Sequence, residues 1–263
     1  MNNYFNNKSV LITGASGSIG SALVNSLRKK KCKVIRAMSN DENGLYELSE
    51  LINGEKNVPF KVRMKKNKIR FILGDVRDYK RCVEATNKID IIIHAAALKH
   101  VPLCEYNPVE ANKTNIIGTK NLIKAAIKNN VKKFLFISTD KVVNPISVMG
   151  KSKLKAEKLV LNTNIKTNKN KTIFSCIRFG NIIETRGNVF EVWDEEFKNN
   201  QPLSITDPSM KRYFWHIDEA ATFILDCLDI SKQGDIIIPK MKSYQVKELA
   251  DKILLLSAVV SIS

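Results

Sequence analysis

Short, nearly continuous runs of Val, Ile and Leu alternate along the chain with longer stretches whose apolar positions recur at helical spacing. Residues 8–12 (KSVLI) form such a run, are followed by Thr-Gly, and predict a buried first strand. From 18 to 30, Ile19, Leu23 and Leu27 share one face, which predicts a first helix. Residues 33–38 predict a second strand and 45–52 a second helix. Residues 69–73, 90–93 and 133–138 predict three more strands, each followed by a helical stretch. Strands that do not alternate polar and apolar are buried on both faces, so this rhythm predicts an α/β fold with a parallel sheet covered by helices on each side. A basic, polar connection around residues 53–68 reads as a surface insertion.

Beyond 173–177, another strand-like run, the rhythm loosens. Residues 180–215 predict loops and short elements, then 222–228 a helix, 235–238 a strand and 246–256 a helix. This pattern divides the chain into a main α/β domain over residues 1–177 and a smaller lobe over 178–263. The last stretch, ILLLSAVVSIS, reads either as a buried helix or as a chain that stops early.

Composition narrows the classes. The 263 residues include 43 Lys+Arg against 26 Asp+Glu, a formal net charge of +17. A chain this basic can attract polyanions. Its basic runs RKKKCK (28–33) and KVRMKKNKIR (61–70), however, lack the interleaved aromatics of a stacking surface, so they read as solvated faces and no nucleic-acid partner is expected. Five scattered cysteines with no CxxC pair exclude a disulfide scaffold and a zinc knuckle, and three histidines leave little for a metal site. No run approaches the ~20 apolar residues of a membrane span, and the N-terminus lacks the apolar core of a secretory signal. A cytoplasmic protein with no membrane span and no metal is expected.

The chemistry concentrates at the ends of the predicted strands. After the first strand come Thr13, Gly14, Ser16, Gly17, Ser18, Ile19 and Gly20, a glycine triplet between a strand and a helix. Missing Cβ atoms permit the sharp turn, and the helix N-terminus offers N–H groups to a pyrophosphate, so this segment predicts a dinucleotide site. The second strand ends in Ser39, Asn40 and Asp41. The first two suit a 2′-phosphate and the third a ribose hydroxyl, which leaves NADP and NAD both open with NADP slightly favoured. Asp75 and Val76 follow the third strand, where the Asp is placed to meet the adenine amine. Ala95, Ala96 and Ala97 follow the fourth, small enough for a flat cofactor to lie against the backbone.

Taken in order, TGxxGxxG, GDVRD, HAAALKHVP, a TN pair, STDK and RFGN resemble the extended short-chain dehydrogenase/reductases. More narrowly they resemble the nucleotide-sugar 4,6-dehydratases of polysaccharide biosynthesis, from about residue 8 to about residue 250. The resemblance implies a Rossmann-type doubly wound domain over 1–177, a substrate lobe over 178–263 shorter than usual, and a homo-oligomer. It implies a hydro-lyase acting on a UDP-sugar, UDP-N-acetylglucosamine above all, with a tightly bound nicotinamide cofactor that oxidises C4 and is regenerated at C6 after water leaves C5 and C6. By the same likeness Asp140 protonates the departing hydroxyl, Lys141 removes the C5 proton, Thr139 bonds the C4 oxygen, and Lys153 and Asn115 serve the cofactor. Lys99 (also placed against the cofactor), His100, Arg178, Asn181, Arg186 and Arg212 would shape the sugar and diphosphate site.

The sequence departs from the family at Met149, which stands where the superfamily's Tyr-x-x-x-Lys motif places its tyrosine, four residues before Lys153. Methionine cannot accept a proton, so the C4 hydroxyl proton falls to Asp140 or to an ordered water. One branch of the dehydratases carries this methionine. The competing readings are a related epimerase or reductase, which relies on the tyrosine, and a cofactor-binding but inert homologue, which the missing Gly-Glu-Lys segment of the family favours.

Overall fold

The apolar runs lie side by side as strands in a computed structural model that describes residues 3–53, 68–163, 172–185, 187–205 and 207–260. They are β1 (Ser9–Thr13), β2 (Val34–Ser39), β3 (Ile69–Leu73), β4 (Ile91–His94), β5 (Lys133–Thr139) and β6 (Ile173–Phe179). With β9 (Ile236–Ile237) they form a seven-stranded sheet of order β3-β2-β1-β4-β5-β6-β9, parallel throughout. Successive side chains enter opposite cores. Val10 and Ile12 pack with Ile93 and Leu135 on one face, while Leu11 packs with Ile92, Phe134 and Phe136 on the other. With both faces buried, no polar alternation was left for the sequence to show.

Helices α1 (Ser18–Arg28), α2 (Glu42–Asn53) and α9 (Ile217–Ile230) cover the first face through Leu23, Leu27, Leu48 and Ile224. Helices α3 (Tyr79–Thr86), α6 (Thr119–Lys128) and α7 (Val148–Asn162) cover the second through Cys82, Leu122, Ala126 and Val160. Short helices α4 (Val101–Tyr106) and α5 (Pro108–Asn112) lead into a π-helical turn, Lys113–Gly118, that runs on into α6. The fold is a doubly wound, Rossmann-like α/β sheet. Ser147 begins α7 by accepting a hydrogen bond from the Gly150 amide at 3.0 Å. Ser147→Ala is expected to cost about 1 kcal/mol, and thus to lower Tm by about 2–4 °C, as a thermal melt would read.

Two expectations about the second half are corrected. Residues 180–215 hold a regular helix, α8 (Val189–Lys198), whose cap Asn188 accepts from the Phe190 and Glu191 amides at 2.7 and 3.1 Å. The boundary at 177 is not a clean division either. Helix α9 joins the first core, and β9 returns to pair with β6 in the main sheet. What stands apart is a three-stranded sheet, β10 (Lys242–Gln245), β8 (Lys211–Trp215) and β7 (Asn181–Ile182), with α8 and α10 (Val246–Val260). Phe190 of α8 packs on Phe214 of β8, and Trp193, fully buried on α8, packs on Phe190 and donates its indole N–H to the Ser204 carbonyl at 2.8 Å. Among the described residues no helix is long and apolar enough to cross a membrane. The basic run at 61–70 lies mostly outside the described residues.

Candidate active site

The strand order reverses between β1 and β4, and there the carboxyl ends of the parallel strands open into a cleft of about 1010 Å³. Its floor is the turn after β1. Gly14 adopts φ +67°, and a Cβ there would stand 2.7 Å from the Ala96 backbone; a Cβ on Gly20 would stand 2.2 Å from the Gly14 carbonyl oxygen. Only glycine allows α1 to start so close under the strand end. Gly17 is its N-cap, and no side chain caps the first turn. Gly14, Ser16, Gly17, Ser18, Ile19 and Gly20 all line the cleft. A backbone cradle ended by a helix N-terminus fits a dinucleotide's diphosphate.

Ser39, Asn40 and Asp41 line the next stretch, with the Ser16 and Ser39 hydroxyls 2.8 Å apart. The Asp41 carboxylate accepts from the Gly44 amide at 2.9 Å, so it is already engaged at the start of α2. Asp75 and Val76 also line the wall, and Asp75 is held by the Arg77 amide and guanidinium, each at 2.8 Å. Burial would raise its pKa, but the bonds from Arg77 and Asn40 prevail and keep the carboxyl below its ordinary value. Ala95, Ala96 and Ala97 form the wall after β4, followed by Lys99 and His100. Burial lowers the Lys99 pKa and the nearby Lys141 charge adds to this, against the pull of Glu191. The His100 ring fits against Gly187 (φ +70°), where a Cβ would come within 2.5 Å of Cε1.

At the far end, Thr139, Lys141, Met149, Lys153 and Asn181 meet. The Thr139 hydroxyl donates to Asp140 Oδ1 at 3.0 Å. Lys141 Nζ donates to Asp140 Oδ1 and Asn181 Oδ1, both at 3.3 Å. Lys141 lines the cleft; Asp140, about one-third exposed, is not among the lining residues and is joined to the cleft through its bonds with Thr139 and Lys141. Met149 is 3 % exposed and forms an apolar wall beside them. Lys153 donates to the Ile137 carbonyl at 2.5 Å, with Nζ 4.1 Å from the centroid of the Phe136 ring. Burial lowers its pKa to about 8, against the pull of Cys176 and Glu157.

Three further expected site residues lie away from the cleft lining. Thr13 is fully buried off the cleft wall, its hydroxyl 2.8 Å from His94 Nδ1. The other His94 nitrogen meets the Thr119 hydroxyl at 2.9 Å, and burial drives this histidine's pKa down to about 3, leaving it neutral. Asn115 does not face a cofactor. Buried in the π turn, it exchanges bonds with both backbone groups of Leu98 and donates to Ser152, tying the Leu98 loop to α7. Arg178 is turned away from the cleft and pairs with buried Glu157. Arg186 lies outside the described residues. Arg212 on β8 does line the cleft.

Sequence reasoning passed over Glu157 and Asp207, the second of which lines the cleft, as does Asn188. Asn188 with Glu191 three residues on is a helix-start signature that would have revealed α8. Glu157, four residues after Lys153, shares its helical face. Among the described residues no three His, Cys, Asp or Glu side chains converge as a metal site.

The family model described as "Polysaccharide biosynthesis protein" matches residues 10–262. An uncharacterized membrane protein of Methanocaldococcus jannaschii is 43 % identical over 97 % of this chain and 73 % of its own. A UDP-glucose 4-epimerase of Rickettsia bellii is 37 % identical over 94 % of this chain and 70 % of its own. The UDP-N-acetylglucosamine 4,6-dehydratase (inverting) of Campylobacter jejuni is also 37 % identical, over 94 % and 71 %. Among solved structures, Pen from Bacillus thuringiensis superposes with a TM-score of 0.86 at 36 % identity, over 94 % of this chain and 74 % of that one. The dTDP-glucose 4,6-dehydratase DesIV of Streptomyces venezuelae, solved with NAD and TYD bound, gives 0.79 at 20 % identity over 94 % and 80 %, a likeness of fold.

Proposed function

Because the chain belongs to the polysaccharide biosynthesis protein family, whose relatives carry both dehydratase and epimerase names, we propose that it is a 4,6-dehydratase acting on UDP-N-acetylglucosamine. The observation that carries this reading is the pairing of Met149 with Asp140 and Lys141. An epimerase of this superfamily needs a phenol where Met149 presents an apolar wall, whereas a dehydratase needs an acid and a base side by side.

Gly14, Gly17, Ser18 and Gly20 would hold the cofactor diphosphate, Ser39 and Asn40 the adenosine ribose, and Lys153 the nicotinamide ribose. With the Asp41 carboxylate committed to α2, the hydroxyl-rich Ser16–Ser39 corner favours NADP over NAD. When bound, the cofactor supplies the redox chemistry, oxidising C4 and reducing C6 in turn. Thr139 bonds the C4 oxygen. Asp140 accepts the C4 hydroxyl proton that Met149 cannot take, and passes it to the departing C6 hydroxyl. Lys141 removes the C5 proton, which the C4 ketone has made acidic, and returns a proton to C5 when C6 is reduced. Lys99, His100, Asn181 and Arg212 shape the sugar and diphosphate end. The enzyme works in the cytoplasm as a homo-oligomer in this reading.

Proton NMR of UDP-N-acetylglucosamine incubated with the pure protein and either dinucleotide tests it. A C6 methyl signal is the expected product; an isomer that keeps its C6 hydroxymethyl group would favour the epimerase instead.

A further inference from the structure

Behind the cleft, one buried carboxylate closes a ring of contacts around the reacting groups. Ser138 of β5 and Arg178 of β6 are register partners, and both reach Glu157 of α7. The Ser138 hydroxyl donates to Oε2 at 2.7 Å; the Arg178 guanidinium donates through Nε to Oε2 at 3.0 Å and through Nη2 to Oε1 at 2.6 Å. Three residues further along each chain segment the two meet again, where Lys141 Nζ donates to Asn181 Oδ1. The clamp at Glu157 therefore fixes both arms of the contact that aims Lys141.

Resting on the dehydratase reading, we propose that Glu157 is a positioning residue: its carboxylate sets where Lys141 and Asn181 stand. The Glu157 side chain is only 2 % exposed and the Arg178 side chain 20 %. A carboxylate so deeply buried persists only when fully paired, and a two-pronged guanidinium fixes its orientation as well as its charge. The groups facing Lys153 are Glu157 on its own helix, Cys176 on β6 and His94 on β4, with the Ile137 carbonyl and the Phe136 ring of β5. Arg178 in turn faces Cys176 and Glu157. Burial drives Cys176 up out of the neutral range and His94 down out of it, so Lys153 is the member of this group that titrates near neutrality. Its ammonium predominates below about pH 8. Neutralising Glu157 removes an opposing attraction and moves that limit to lower pH.

Glu157→Gln in the full chain tests this. The kcat for UDP-N-acetylglucosamine should fall by about 10–100-fold, because small displacements of proton-transfer groups are that costly, while KM stays nearly constant. The alkaline limb of NADP affinity, followed by calorimetry from pH 6 to 10, should move to lower pH. Lower Tm with kcat and the alkaline limb both unchanged would overturn the proposal, leaving Glu157 a merely structural residue. Should Glu157→Gln fail to fold, Ser138→Ala removes one arm of the clamp and keeps the Arg178 pair; an unchanged kcat there would equally overturn it. If the wild type proves inactive on this sugar, the dehydratase reading falls, and the calorimetric limb alone decides the role of Glu157.

Discussion

Lys141→Ala lowers turnover of UDP-N-acetylglucosamine by about 10²–10⁴-fold, the contribution expected of a positioned proton-transfer group, and leaves dinucleotide affinity essentially unchanged. The selectivity follows from position. Lys141 lies just past the end of β5, bonded to Asp140 and Asn181, while the proposed diphosphate cradle is built by the turn after β1. The Lys141 side chain is 38 % exposed, so its removal opens no cavity and should change stability by no more than about 0.5 kcal/mol. Asp140→Asn gives a loss of similar order, and the double variant is little worse than either, because both groups act within one proton-transfer sequence. Steady-state kinetics with calorimetry on the same preparations would check this. Turnover within about tenfold of wild type for Lys141→Ala would remove Lys141 from the chemistry.

Gly20→Ala produces the opposite pattern, a loss of cofactor. The new methyl would meet the Gly14 carbonyl oxygen at 2.2 Å and the Ala15 Cα at 2.7 Å, both main-chain atoms with little room to yield. Helix α1 must then draw back from the turn, taking its uncapped N-terminus out of reach of the diphosphate. We expect NADP and NAD affinity to fall at least about 100-fold, equivalent to roughly 2.7 kcal/mol, along with a lower Tm as Leu23 and Leu27 are displaced from the first core. Affinity within a few-fold of wild type would show that the cradle tolerates a Cβ and is not the diphosphate site.

The position of the glycine turn and of Thr139 and Lys141 on the cleft was legible because each sits where a local signal is strongest, at the end of a wholly apolar strand. Burial of both sheet faces made those strands visible, and the residues after them fall on the cleft by topology alone. Arg178 was not legible. A lone arginine after a strand reads as an anion contact, and nothing local reveals that its partner is Glu157, 21 residues earlier on another element. Asn115 belongs to the same class, since a π turn aims a side chain in a way that α-helical spacing does not foresee. Thr13 was drawn into the cofactor site by its neighbours in the glycine motif, although its hydroxyl turns inward to His94. The domain boundary failed because a two-residue strand, Ile236–Ile237, leaves too short an apolar signal to announce the chain's return to the main sheet. Ser39, Asn40 and Asp41 left NADP and NAD both open in the sequence, and the proposed preference for NADP adds to them only the bond that Asp41 makes at the start of α2.

The most direct test of elimination through Asp140 and Lys141 is mass spectrometry of UDP-N-acetylglucosamine after incubation with the wild-type protein in deuterated water. The dehydratase reading predicts a nucleotide sugar lighter by one water that carries solvent deuterium at C5. A product of unchanged composition, or unaltered substrate in the presence of bound dinucleotide, would contradict it.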